Sequence, residues 1–103
     1  MKRIDRIKAM ENSLDVSAGA IEALAAALEK YEEAMPEWKK LSDYYGSTQW
    51  MRDYEADEAG KLPKDLKRGV LSEDTVYDLI IDNRGLVARM AKLVAKSIDD
   101  NTI

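Results

Sequence analysis

Apolar side chains recur every seven positions along the first third of the chain, at Ile7, Leu14, Ile21, Leu28 and Met35, with Met10, Ser17, Leu24 and Tyr31 in the interleaved column three residues on. That spacing puts one apolar face on a helix over residues 3–35. Ser13, Ala20, Ala27 and Ala34 widen the face on one side, and Ala18 and Ala25 on the other, while Glu11, Asp15, Glu22, Glu29 and Lys30 occupy the opposite face. A broad face flanked by small residues suits a helix packed in a bundle and lets another backbone approach closely. Pro36 lacks the N–H that an interior helical position donates, so it either kinks this helix or opens a new one.

Helical spacing resumes over 37–45 through Trp38, Leu41 and Tyr45. Gly46 is a C-terminal stop and Ser47 an N-cap for a short helix over 48–59, which Gly60 ends. Leu62, Leu66 and Val70 recur every four residues around Pro63, predicting a helical turn at 63–68. Ser72 as N-cap, Glu73 and Asp74 at the positive end and a Leu71–Val76 staple open a last long helix over 73–98. Its stripe runs through Val76, Leu79, Ile80, Leu86, Val87, Met90, Leu93 and Val94. Tyr77 and Ile81, one turn apart, add a second apolar facet onto which the middle segment would dock. The expected architecture is all-α, a single domain over 1–103. Two long helices form a hairpin-like antiparallel bundle, and two or three short helices cap one end.

Composition narrows the chemistry. At 103 residues the chain can bury a core without staples. Zero cysteines and zero histidines exclude disulfides, thiol nucleophiles, thiolate zinc sites and the commonest general base. Twenty acidic against 16 basic side chains leave a net charge of −4, which disfavours a nucleic-acid partner. Lys2, Arg3 and Arg6 begin the chain as a signal peptide begins, but charges interrupt every apolar window that should follow. With no stretch apolar enough to span a membrane, the reading is a cytoplasmic protein.

Five of the seven aromatic residues, Trp38, Tyr44, Tyr45, Trp50 and Tyr54, crowd into seventeen positions between the long helices. Each ring left in water would forgo about 1.5–3 kcal/mol of burial, so the segment packs on something. With the basic cluster Lys64, Lys67 and Arg68 as its rim, it is the candidate recognition surface of a non-enzymatic protein-interaction module. The basic cluster directly follows an acidic one, and charge complementarity within the domain or with a second copy is its simplest reading. The alternative is a divalent-metal-dependent phosphohydrolase. It would take its ligands from Asp53, Asp57 and Glu58 and from Asp74, Asp78 and Asp82, which recur every four residues on the last helix. Against it, Glu32-Glu33 is followed by Pro36, and Glu37 falls one position too late for the glutamate pattern of all-helical nucleotide pyrophosphohydrolases. No catalytic residue and no cofactor motif is assigned, and the reading leans away from an enzyme. The first helix outruns the last by about seven residues, so a second copy is expected to cover the excess apolar surface in a homodimer.

The run LSDYYGS at 41–47, with DYEADEAGKLPKDLKRGVLSED at 53–74 and VYDLI at 76–80, resembles a small bacterial family catalogued only as a domain of unknown function. The resemblance implies an all-helical cytoplasmic protein of about this length. It brings no activity, cofactor or catalytic residue with it.

Overall fold

The computed structural model describes residues 2–102, which form helices joined by turns, with no strand among them. Helix α1 spans Arg3–Tyr44, α2 spans Thr48–Glu58 and α3 spans Glu73–Asp99, with one 3₁₀ turn at Gly69–Leu71 ahead of α3. No helix among the described residues is long and apolar enough to cross a membrane.

The break expected after residue 35 is absent, because Pro36 lies inside the 42-residue α1. The apolar columns explain this. Met10, Ser17, Leu24 and Tyr31 continue at the same spacing through Trp38 to Tyr45, and Ser13, Ala20, Ala27 and Ala34 continue to Leu41. The helical phase is therefore unchanged across Pro36, and the chain gives up one backbone hydrogen bond at the Glu32 carbonyl rather than start a second helix. The separate helix expected at 37–45 is the end of α1.

Gly46 sits at φ 81°, a left-handed conformation that glycine adopts without a Cβ clash, and there α1 stops. Ser47 is extended, and its hydroxyl oxygen accepts the Trp50 backbone N–H at 3.1 Å, capping α2. At the far end of α2, Gly60 takes φ 69°. The Gly60 N–H donates to the Asp57 carbonyl and the Lys61 N–H to the Ala56 carbonyl, the paired bonds of a Schellman stop.

Residues 63–68 do not form the expected helical turn. The Leu66 N–H donates to the Pro63 carbonyl in a single tight turn, and helical geometry appears only at Gly69–Leu71. The four-residue spacing of Leu62, Leu66 and Val70 misleads because these side chains share no buried face: Leu66 and Val70 are exposed and Leu71 is the buried one. Ser72 stands at the N-cap of α3 with extended backbone, but its side chain makes no capping bond. Leu71 and Val76, the residues of the expected staple, are both buried.

Two compact units are distinguished, Met1–Lys39 and Lys40–Ile103. The first is a single helical segment whose apolar positions Ile7, Met10, Leu14, Ile21, Leu24, Leu28 and Met35 are exposed. The second holds the buried hydrophobic side chains Trp50, Leu71 and Val76, at 7, 6 and 2% exposure.

Pro36 gives a direct test of the continuous helix. Pro36→Ala restores the missing donor, and about 1–3 kcal/mol of helix stability is expected from the propensity difference. Thermal unfolding followed by circular dichroism should show a higher midpoint and greater helicity than the parent chain. A lower midpoint would show that Pro36 ends a helix.

Candidate functional site

The second unit is organised by the middle aromatic segment. The i, i+4 spacing of Trp50 and Tyr54 on α2 stacks their rings, with centroids 5.3 Å apart and an interplanar angle of 21°. Tyr45, just beyond α1, meets Trp50 edge-on at 5.3 Å and 68°. Both arrangements suit the ring quadrupoles. The Trp50 indole N–H, buried with its ring, donates to the Val70 carbonyl at 2.8 Å and so ties α2 to the 3₁₀ turn.

Two tyrosine hydroxyls converge on one residue of α3. Tyr45 donates to the Glu73 backbone carbonyl at 3.1 Å, and Tyr54 donates to a Glu73 carboxylate oxygen at 3.1 Å. Glu73 lies in the first turn of α3, where a carboxylate also offsets the positive helix end. The Tyr54 phenol is accordingly raised, first by its hydrogen bond to Glu73 and then by the negative field of Glu58. Tyr44 donates to Asp53 of α2 at 2.5 Å. Its phenol is pushed up to about 12 by burial first, then by that hydrogen bond and the Asp53 charge.

Arg68 pairs with Asp57 at 2.9 Å, joining the basic connection to the acidic end of α2. The charge complementarity expected within the domain is realised in this pair. Lys64 and Lys67 are exposed. Lys67 also borders an open apolar groove of about 340 Å³ lined by Leu41, Val70, Thr75, Val76 and Leu79. A second hollow of about 240 Å³ lies between Tyr44, Asp53, Leu62, Leu66 and Val70.

Of the expected surface residues, Tyr44 and Arg68 each bond a carboxylate of α2, while Tyr45, Trp50 and Tyr54 are joined in one network with Glu73. Trp50 stands within its core, the tyrosines are half-buried, and Trp38 is half-buried in the first unit. The segment bonds to Val70 and Glu73, not to the facet of Tyr77 and Ile81, which remain 54 and 45% exposed. The sequence signal for this location was the Leu71–Val76 pair. Nothing in it marked Glu73 as the shared acceptor, because a glutamate in a first turn already has an electrostatic reason to be there.

The alternative metal ligands do not converge. Asp53 accepts from Tyr44, Asp57 is paired with Arg68, and Glu58, Asp74, Asp78 and Asp82 are exposed. Among the described residues no group of three or more acidic, histidine or cysteine side chains is placed to hold a metal ion.

A family model described as a domain of unknown function (DUF4298) matches residues 7–93. No curated protein and no solved structure matches the chain.

Two predictions follow the network. Trp50→Ala empties the centre of the ring stack and leaves the Val70 carbonyl without its donor, so about 3–5 kcal/mol should be lost in chemical denaturation. Because the Tyr44 phenol is raised in the folded chain, its contribution is fully present below pH 10. That contribution is lost as pH climbs from 10 through about 12. Tyr44→Phe should be less stable than the parent at pH 8 and should show a shallower decline in melting temperature above pH 10. Parallel declines in the two proteins would contradict this assignment.

Proposed function

Starting from the fact that the chain belongs to the family described as a domain of unknown function (DUF4298), we propose that it is a non-enzymatic protein-interaction module that self-associates. One observation carries this reading. Hydrophobic residues make up 46% of the chain, yet the buried hydrophobic side chains among the described residues are Trp50, Leu71 and Val76, while the α1 stripe from Ile7 to Met35 and the α3 stripe from Leu86 to Val94 are mostly exposed. Single exposed apolar residues are ordinary on protein surfaces, but continuous stripes of them mark association surfaces.

The aromatic network serves as the braced base of the module. Tyr44, Tyr45 and Tyr54 are only partly covered, and Lys64, Lys67 and Arg68 rim them as a second surface, for another protein. Trp50 holds that surface together from beneath. No nucleic acid, membrane, cofactor or bound metal enters this reading, and the expected setting is a bacterial cytoplasm.

Mass action supplies the test. If folding and self-association are linked, the thermal midpoint of the purified chain rises with protein concentration, and a hundredfold increase should be visible as a shift of several degrees. A midpoint independent of concentration, together with a monomeric mass in sedimentation equilibrium, would overturn the proposal. The hairpin of α1 on α3 within one chain would then be the cover for both stripes.

A further inference from the structure

The first unit is a lone helical segment, and one helix cannot bury its own stripe. Its heptad columns, Ile7-Leu14-Ile21-Leu28 and Met10-Ser17-Leu24-Tyr31, are flanked midway by Ala18, Ala20, Ala25 and Ala27, which let a second helix come close. Charge along the helix decides which helix that is. Residues 2–8 carry Lys2, Arg3, Arg6 and Lys8 against Asp5, a net +3, whereas residues 29–37 carry Glu29, Glu32, Glu33 and Glu37 against Lys30, a net −3. On α3 the order is reversed. Glu73, Asp74, Asp78 and Asp82 make its first ten residues −4, and Arg84, Arg89, Lys92 and Lys96 make residues 84–96 +4.

An antiparallel α1–α3 pair would therefore set +3 beside +4 and −3 beside −4. A parallel pair of α1 helices would set each charged end beside itself. Two pairings bring opposite charge together at both ends, a parallel α1–α3 pair and an antiparallel pair of α1 helices, and of these the α1 pair sets the same apolar columns on both partners.

Building on the interaction-module reading, we propose that α1 docks antiparallel on α1 of a second copy, with Ser17 to Ile21 at the two-fold axis. Ile7 then faces Tyr31, Met10 faces Leu28 and Leu14 faces Leu24, while Ala20 meets its own counterpart. Lys8 lies beside Glu29 and Glu32, and Arg6 beside Glu37. The antiparallel register one heptad longer is disfavoured, because it brings Glu11 flank to flank with Glu32 and sets the basic end against the mixed charges of residues 37–43.

The chain has no cysteine, so single cysteines report cleanly. Ala20→Cys is expected to form an intermolecular disulfide under mild oxidation. Leu14→Cys and Leu24→Cys are each expected to stay uncrosslinked alone and to crosslink when mixed. Self-crosslinking of Leu14→Cys would show a parallel pair and overturn the proposal while leaving self-association intact. A monomeric mass for the parent chain would overturn the interaction reading as well. Charge gives an independent check. Arg6→Glu with Lys8→Glu should weaken dimerisation about tenfold, and adding Glu32→Lys with Glu37→Lys should restore it. Failure of the compensating pair to restore association would refute the antiparallel charge match.

Discussion

The second unit depends on the Trp50 side chain. Its ring is held edge-on by Tyr45 and face-on by Tyr54, and its indole N–H reaches the Val70 carbonyl. An indole is the one side chain that offers a large apolar body and a single donor, so it can fill a small core and fix a backbone at once. Helix α2, at 11 residues, is too short to persist alone in water. It is held by what Trp50 and Tyr54 bind, and the 3₁₀ turn has its position from the same bond. The N-terminus of α3 is tied in one step further out, through the two tyrosine hydroxyls on Glu73.

Around that centre the polar side chains are engaged with one another. Asp53 accepts from Tyr44 and Asp57 meets Arg68, so two carboxylates that sequence spacing offers as metal ligands serve to position the ends of α2. The remaining acidic residues stand on exposed faces. A raised tyrosine held by a carboxylate is stable as a neutral donor at neutral pH, which suits a structural bond and makes a poor general base. The chemistry of the region is that of a brace.

Local rules were legible wherever one residue type decides a backbone conformation. Gly46 and Gly60 could be placed at helix ends because a left-handed residue is needed there, and Ser47 as a cap because its hydroxyl reaches the next turn. Of the two readings of Pro36, a kink within one helix or the opening of a new one, the second fails because the columns continue in phase to Leu41 and Tyr45. A single lost hydrogen bond is a smaller cost than starting a new helix nucleus. At residues 63–68 the periodic reading fails. A four-residue apolar spacing was given weight over three turns' worth of residues that also contain Pro63 and precede Gly69, and the Val70 carbonyl is drawn to an indole twenty positions back. The concentration of aromatics could be seen to require burial. Which atoms would receive their donors could not, since backbone carbonyls carry no sequence mark.

The two long helices pose one physical problem, which the short middle segment does not solve. Each has an apolar stripe that water disfavours, and each has a charge gradient, of opposite sense in the two. A gradient acts on a solitary helix only modestly, through the macrodipole. On α1 it even opposes the dipole, with basic residues at the positive end. Such an arrangement is unfavourable within the helix and becomes favourable when an antiparallel neighbour brings the opposite charge alongside. The acidic start and basic finish of α3 follow the dipole and need no neighbour to account for them. The polarity of α1 is thus the feature on which the proposed pairing with a second copy rests most directly, and the small residues at its middle are where that pairing would be closest.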